Sequence, residues 1–207
     1  AITLQATDPS EQFTRAILVS IVGGLVIMFP YVAWEFWRFL KPGLYKHEIR
    51  NTRGLVGVVS LLFLLGVAFG YFIVLPFTIG FFASFKLAAG VENIWRIGKV
   101  INLVVQISLA GGILFEMPVV SYFLSRLGLL TPRIMKKFRR HAVIATLITA
   151  GILTPGPDLM SQLLLAIPML LLYELSILIS GSVQRKREKA YAERQAELEQ
   201  QEENRED

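Results

Sequence analysis

The sequence predicts an all-α integral membrane protein with five transmembrane helices. Of its 207 residues 54% are hydrophobic and the mean hydropathy is +0.54, which is too apolar for an ordinary soluble domain. Charged residues gather between long uncharged runs instead of being spread along the chain. The alternation of apolar and polar residues that is typical of a membrane β-barrel is absent. Because only helices and closed barrels span membranes, helices are the expected spanning structure.

The first three predicted spans are the apolar stretches 16–34, 54–85 and 100–125. They have 19, 32 and 26 residues, which is close to or above the ~20 residues that a helix needs to cross a ~30 Å hydrocarbon core. The second is longer than one crossing requires. We therefore expect tilt there, or a kink at Pro76, because proline lacks the N–H that a regular helix uses.

The last two predicted spans are shorter and form a hairpin. Residues 142–155 supply only about 21 Å of helix, which is short for a normal bilayer. A proline-rich and glycine-containing turn at 154–158 leads to a last helix over 159–183. We therefore predict a transmembrane domain at 1–183 and a charged tail at 184–207 that is disordered or partly helical.

The positions of lysine and arginine predict the orientation of the spans. The loops at 33–53 and 126–141 and the start of the tail at 185–189 carry fifteen of these residues, and the opposite side carries four. The positive-inside rule places the first group, with the C-terminus, in the cytoplasm, and this explains the net charge of +5 without a nucleic-acid partner. Because the chain then starts outside at Ala1, we expect a preceding transmembrane helix to be absent from this sequence.

A charged and aromatic segment at 37–53 separates the first two spans. Its acid is Glu48, which lies among basic side chains, and Pro42 and Gly43 break the backbone just before it. The carboxylate either forms an ion pair within the loop, worth ~0–1 kcal/mol, or binds an external guanidinium through two parallel hydrogen bonds. Glu35 supplies a second acid beside this loop.

Polar and glycine residues inside the spans are the second set of candidates. Glu116 is the single charged residue of the third span, and a charge there costs ~2.5–3.5 kcal/mol unless it faces protein or water. It either joins helices as a hydrogen-bonded carboxyl, lines a polar cavity or carries protons. Gln162 is expected to be a helix-packing amide. Gly66 and Gly70 form a GxxxG pair that either admits a second helix or reflects chance spacing.

Several kinds of chemistry are not expected. The chain has no cysteine, and its two histidines lie in different loops without metal-ligand spacing, so we expect no metal site. The sequence contains neither a grouping of nucleophile, base and acid nor a glycine-rich phosphate loop. We therefore expect neither enzymatic activity nor a cofactor.

Four motifs follow one another along the chain. They are P-x-E-x-F at 9–13, W-x-F-x-x-P-G-L-Y-x-x-E at 37–48, F-E-x-P at 115–118, and P-D-x-x-S-Q from 157 continuing to A-I-P at 166–168. In this order, and with these spans between them, they resemble the TatC family, which is the multispanning core of the twin-arginine protein translocase. The resemblance covers nearly all of residues 1–183.

The resemblance implies six transmembrane helices with both ends cytoplasmic, in a concave, glove-like bundle whose last two helices are short. It implies a receptor subunit in the bacterial inner membrane that binds the Arg-Arg signal peptides of folded preproteins. It also implies assembly with small single-span subunits of the TatA and TatB type into an oligomeric complex that exports cargo with the proton-motive force.

The resemblance also maps roles onto residues of this chain. In the family the first cytoplasmic loop meets the twin arginines, and a polar intramembrane cavity is formed by an acid of one helix and two polar residues at the start of the last helix. The loop positions are Phe39, Leu44 and Glu48, and the cavity positions are Glu116, Asp158 and Gln162.

An alternative function from another class is a proton-coupled transporter of small solutes, with Glu116 as the proton carrier. Such a protein needs a closed substrate site near the middle of the membrane. The receptor-like cytoplasmic loop and the short hairpin helices argue against it. The substitution Glu48→Ala distinguishes the two functions, because a transporter tolerates it and a signal receptor does not.

Overall fold

A computed structural model of the chain describes residues 4–5, 9–40, 52–84, 95–153 and 159–206, and nearly all of these residues are helical. The elements in chain order are β1 (Leu4–Gln5), α1 (Pro9–Leu40), α2 (Thr52–Phe69), a π-helical turn (Gly70–Val74), α3 (Leu75–Ser84), β2 (Trp95–Arg96), α4 (Ile97–Phe115), α5 (Met117–Arg126), α6 (Pro132–Lys137), α7 (Arg139–Leu153) and α8 (Leu159–Glu206).

Among the described residues, four helical runs are long and apolar enough to cross a membrane. The prediction of a helical integral membrane protein is thereby confirmed. Helix α7, which contains most of the predicted span at 142–155, has only 15 residues and is not one of the four. The count of five spans therefore stays a prediction. The four runs are Ser10–Phe39, Gly54–Ser84, Ile97–Arg126 and Gln162–Gln201.

The second of these runs is interrupted by the π-helical turn. Its hydrogen bonding is widened, because the backbone N–H of Leu75 donates to the carbonyl of Gly70, five residues earlier. Pro76 follows directly, and it lacks an N–H while its ring crowds the carbonyl four residues before it. The wider turn relieves this crowding, so the irregularity expected at Pro76 lies immediately upstream of it.

The third run is divided at Glu116. Helix α4 ends at Phe115, and the N–H of Glu116 donates to the carbonyl of Ile113 at 3.1 Å in a tightened last turn. Helix α5 begins at the next residue, and its second position is Pro118, which has no N–H to continue the hydrogen bonds of α4. The F-E-x-P motif is therefore a helix break.

The chain divides into two compact units, which are described separately. The first unit contains Ala1–Glu116 and Thr146–Met169, and the second contains Met117–Ala145 and Leu170–Asp207. The core of the first unit is apolar and is contributed by the π-helical turn, α3, α4, α7 and α8. Its buried members are Val74, Leu75, Leu103, Ile107, Ala150, Leu165 and Ala166.

In the first unit, α2 and α4 cross at glycines. A Cβ added at Gly66 would overlap the backbone carbonyl of Gly111, and a Cβ at Gly70 would lie 2.6 Å from the carbonyl oxygen of Ile107. Side chains at these positions would hold the two backbones apart. The GxxxG pair is therefore a helix-packing motif, and chance spacing is excluded as its explanation.

The beginnings of α1 and α4 lie together in the first unit. Strand β1 pairs in parallel with β2, with Leu4 opposite Trp95. One guanidinium nitrogen of Arg15 donates to the side-chain oxygen of Asn102 at 2.6 Å. Both contacts join segments that are distant in sequence, and hydropathy alone did not predict either of them.

The second unit is held together by polar contacts of α8 with α5 and α6. The Ser125 hydroxyl donates to the Ser180 hydroxyl at 2.7 Å in a buried position, and the Tyr173 hydroxyl donates to the carbonyl of Met135 at 2.9 Å. Hydrogen bonds between small hydroxyl side chains are a common means of joining helices in membranes. These two contacts fix α8 against the neighbouring segments of its unit.

Helix α8 continues past Val183, the position at which the apolar pattern predicted its end, to Glu206. Arg187 contacts the end of α5, since its guanidinium donates to the carbonyl of Ser125 at 3.2 Å. A positive charge at the carbonyl end of a helix is stabilising. Gly128 makes room for it, with a φ of 79° and a position where a Cβ would lie 2.8 Å from the Arg187 side chain.

Candidate functional site

Most of the predicted signal-binding loop lies between α1 and α2, outside the described residues. This holds for the predicted acid and for the residues of the turn before it, namely Pro42, Gly43, Leu44 and Glu48. The two remaining members, Glu35 and Phe39, lie in the last turns of α1, and their positions follow from the helix.

Glu35 and Phe39 are one turn apart, so they share a face at the end of α1. The side chain of Phe39 is 78% exposed. A carboxylate oxygen of Glu35 lies 3.5 Å from a guanidinium nitrogen of Arg38, and both side chains are exposed. Since such pairs contribute only ~0–1 kcal/mol, Glu35 can exchange Arg38 for another guanidinium at little cost. The end of α1 thus presents an accessible acid beside an exposed aromatic ring.

Glu116 lies at the break between α4 and α5. Its Oε1 atom is buried and has no hydrogen-bond partner among the described residues. A buried acceptor without a donor is costly, so a donor brought to this carboxyl by another molecule would be stabilising. The preceding residue, Phe115, packs against Phe69 with 5.5 Å between ring centroids, which anchors the end of α4 to α2.

Gln162 lies in the first turns of α8 and contacts α7. Its side-chain nitrogen donates to the backbone carbonyl of Leu147 at 2.8 Å, in a partly buried position. The same nitrogen would lie 3.3 Å from a Cβ at Gly151, so the glycine allows the close approach. This contact supports the interpretation of Gln162 as a packing amide. The other residue predicted beside it, Asp158, lies outside the described residues.

The structure contains contacts between helices that the sequence did not single out. Gly111 is the partner of the GxxxG pair, and the adjacent glycines at 111 and 112 in an apolar span were a visible signal for it. Arg139 and Glu174 form an ion pair at 2.5 Å between α7 and α8. No local signal identifies that pair, because its members are far apart in sequence.

The chain is similar to known proteins over most of its length. The family described as Sec-independent protein translocase protein (TatC) matches residues 1–168 of the chain. The TatC protein of Blattabacterium sp. subsp. Periplaneta americana is 39% identical over 176 residues, which are 85% of this chain and 66% of that protein. The TatCy protein of Bacillus subtilis is 36% identical over 186 residues, which are 90% of this chain and 72% of that protein. The chain thus spans about two thirds of the Blattabacterium relative.

The fold is also shared with a solved structure. A crystal structure described as the twin-arginine translocase receptor TatC superimposes with a TM-score of 0.76 at 35% sequence identity. The superposition covers 88% of this chain and 80% of that one. Family match, identity and fold agree over most of the chain. It is an integral membrane protein that belongs to the TatC family of Sec-independent protein translocase proteins.

Proposed function

We propose that the chain is the core receptor subunit of a twin-arginine translocase in the bacterial inner membrane. In this function it binds the Arg-Arg signal peptides of folded preproteins at the cytoplasmic face. It then nucleates assembly of small single-span subunits of the TatA and TatB type, and the complex exports cargo with the proton-motive force.

The single observation that carries the proposal is the fold. The chain shares 35% identity and a TM-score of 0.76 with a protein described as the receptor of the twin-arginine translocase. The motif residues at 37–48, which precede the second span, are part of the matched region. A shared fold supports a shared function here because it is accompanied by 35% sequence identity and by a family match that includes the segment proposed to recognise the signal.

Signal recognition would use acids and apolar groups at the end of α1 and in the following loop. Glu48 is the proposed principal partner of the guanidinium groups, and Glu35 supplies a second, accessible carboxylate. A carboxylate matches guanidinium through two parallel hydrogen bonds, which an ammonium group cannot reproduce, so arginine is preferred over lysine. Phe39 and Leu44 would pack against apolar residues of the signal peptide.

The polar cavity would act after recognition. We assign Glu116, with Asp158 and Gln162, to a region that accommodates the signal peptide or a helix of a partner subunit. The buried Oε1 of Glu116, which lacks a partner among the described residues, is suited to receive a donor from such a helix. Gln162 would position α7 and α8 around this region, since it joins the two helices.

The test is photo-crosslinking in native-like membranes, with the crosslinking residue placed at position 47 beside Glu48. Signal peptides with Arg-Arg and with Lys-Lys are compared. Lysine cannot form the second of the two parallel hydrogen bonds, and a hydrogen bond to a charged group is worth about 1.5–3 kcal/mol. We therefore expect the Arg-Arg peptide to crosslink at least about tenfold better than the Lys-Lys peptide. The variant Glu48→Ala should lose this preference.

Arg38→Ala is the matched control, because it removes a charge from the same region and leaves both acids in the chain. We expect it to keep or to strengthen the preference for Arg-Arg. Crosslinks that are indifferent to the Lys-Lys change and to Glu48→Ala would refute the assignment of Glu48. Glu48 would then be a partner of its basic loop neighbours only.

The proton-coupled transporter stays the second candidate, because a buried carboxyl with an unpaired oxygen is also what a proton carrier requires. A transporter would lose proton-linked uptake in Glu116→Gln and would keep it in Glu48→Ala. A signal receptor would show the dependence on Glu48 just described. The two variants, assayed together, therefore separate the two functions.

A further inference from the structure

A stripe of basic residues runs along α6 and the start of α7. Arg133, Lys136, Lys137 and Arg140 are spaced at i, i+3, i+4 and i+7, the spacing of one helix face. The helical path continues between the two helices through Phe138. Its N–H donates to the carbonyl of Ile134 at 3.0 Å, and its carbonyl accepts from Ala142 at 2.9 Å. The four basic side chains, here named the basic stripe, therefore share a face.

The other faces of the same segment differ in character. Met135 is buried, and its carbonyl accepts the Tyr173 hydroxyl of α8. Ile134 and Phe138, one turn apart, are large apolar side chains that are 43% and 48% exposed. The segment thus has a packed face, an exposed apolar face and a cationic face. This pattern is typical of a helix that lies in the membrane interface, with apolar groups in the acyl region and cations among the headgroups.

The packing of α6 places this segment at the depth of the apolar part of α8. Tyr173 contacts α6 at Met135, and a Cβ at Gly181 would lie 3.8 Å from the ring of Pro132. Between these two contacts, α8 still exposes Leu178 at 70%. This leucine belongs to a helical run that is long and apolar enough to cross a membrane, so it is suited to contact lipid. The basic stripe is therefore close to a part of α8 that is suited to contact lipid.

No described residue of the same unit forms an ion pair with the stripe. The sequence from 117 to 145 contains no acidic residue. Glu174 of α8 is paired with Arg139, which is not in the stripe, and Glu188 accepts a hydrogen bond from Gln184 at 2.8 Å. Among the described residues, no carboxylate lies within 4.0 Å of the four stripe side chains. The four side chains are therefore available to anionic groups of another molecule.

We propose that the basic stripe, with Ile134 and Phe138 beside it, binds the headgroups of anionic phospholipids. The lipid phosphates supply the missing negative charge, and the exposed apolar side chains contact the acyl chains of the same lipids. This site would hold the second unit at a set depth in the cytoplasmic leaflet. It is separate from signal recognition, because none of its residues belongs to the loop after α1.

Native mass spectrometry of the detergent-solubilised chain tests the proposal. The chain is mixed with phosphatidylglycerol and phosphatidylcholine of the same acyl composition, and the retained lipids are counted. Each basic residue contributes up to about fivefold to affinity for an anionic surface. We expect the unaltered chain to retain phosphatidylglycerol at least about tenfold better, and R133Q/K136Q/K137Q to lose most of this preference.

A second triple variant, R185Q/K186Q/K189Q, removes the same charge from the exposed beginning of the α8 extension and should reduce the preference less than R133Q/K136Q/K137Q does. The variant K136R/K137R keeps the charge and should retain the preference, which separates loss of charge from loss of folding. Equal losses in the two triple variants would overturn a localised site. Equal retention of the two lipids by the unaltered chain would also overturn it, and would favour an acidic protein segment as the occupant. None of these measurements uses a signal peptide, so they are independent of the proposed function.

Discussion

Polar side chains in the apolar helices fall into two groups according to whether another helix supplies a partner. Gln162 bonds to Leu147, and the hydroxyls of Ser125 and Ser180 bond to each other. Glu116 keeps a buried oxygen without a partner among the described residues. The first group contributes to stability, because the partners replace water that the membrane does not supply. Glu116 costs stability, which is typical of residues retained for function.

Replacing Gln162 by leucine should destabilise the protein modestly. The variant loses one hydrogen bond between helices, and such bonds in membranes average about 0.6 kcal/mol and reach about 1.7 kcal/mol. We expect the free energy of unfolding in mixed micelles to fall within this range. Leu163→Ala, at the adjacent exposed position, should change it less.

Crosslinking of a signal peptide to the Gln162→Leu variant distinguishes a packing role of Gln162 from a role in ligand contact. If stability is unchanged and crosslinking is lost, Gln162 contacts the ligand, and its role as a packing amide is wrong. If stability falls and crosslinking persists, the hydrogen bond to Leu147 is its main role.

At the scale of elements, glycine and proline determine how the helices meet and bend. Gly66 and Gly70 allow α4 to approach within backbone contact, and Phe29 of α1 stacks on Phe63 of α2 with 3.5 Å between ring centroids. Pro76 is accommodated by the π-helical turn before it. Close backbone approach maximises dispersion contacts, which matter in lipid because apolar burial gives no net advantage there.

Gly66→Ala should destabilise the crossing of α2 and α4. The added methyl overlaps the carbonyl of Gly111, which is backbone and cannot rotate away. We expect a loss of about 1–3 kcal/mol, the usual cost of overpacking. Gly57→Ala is the matched control on α2, since its Cβ would meet nothing within 4 Å, and it should be neutral or stabilising by up to about 1 kcal/mol.

Unfolding in mixed micelles, followed by circular dichroism, compares the two variants. If Gly66→Ala is no less stable than Gly57→Ala, the crossing is contradicted, because α4 then does not approach α2 at this glycine.

At the scale of the whole molecule, charge distribution predicts the topology. Fifteen lysines and arginines at 33–53, 126–141 and 185–189 oppose four on the other side of the predicted spans. The rule that relates this bias to orientation acts during insertion, so it is independent of the final packing.

Single cysteines test this topology directly, because the chain has none of its own. Leu129→Cys and Lys189→Cys should react with a membrane-impermeant thiol reagent from the cytoplasmic side. Arg96→Cys and Leu159→Cys should react from the opposite side, provided that α7 crosses the membrane. Labelling of Leu159→Cys from the cytoplasmic side would show that α7 does not cross, and would reduce the number of spans from five.

The sequence by itself was enough for the class of fold and for the family. Apolar length and charge clustering are local properties, so the helical spans could be located without knowledge of their neighbours. The irregularity before α3 was expected from Pro76, because a missing N–H acts within a single turn. The break at Glu116 was not predicted, although Pro118 was a visible signal for it. The motif residues also predicted recognition at the end of α1. Glu35 and Phe39 are exposed there, and their role in recognition stays a prediction.

Only the tertiary structure decided the partners. Gly66 was recognisable as small, but its contact with Gly111 depends on how two helices cross. Gln162 could have lined a cavity, and the structure turns its amide to Leu147. Helix α8 continues beyond the end of its apolar pattern, and its Arg187 contacts the end of α5. Each of these contacts joins residues far apart in sequence, and their pairing depends on packing, which no local pattern of residues encodes.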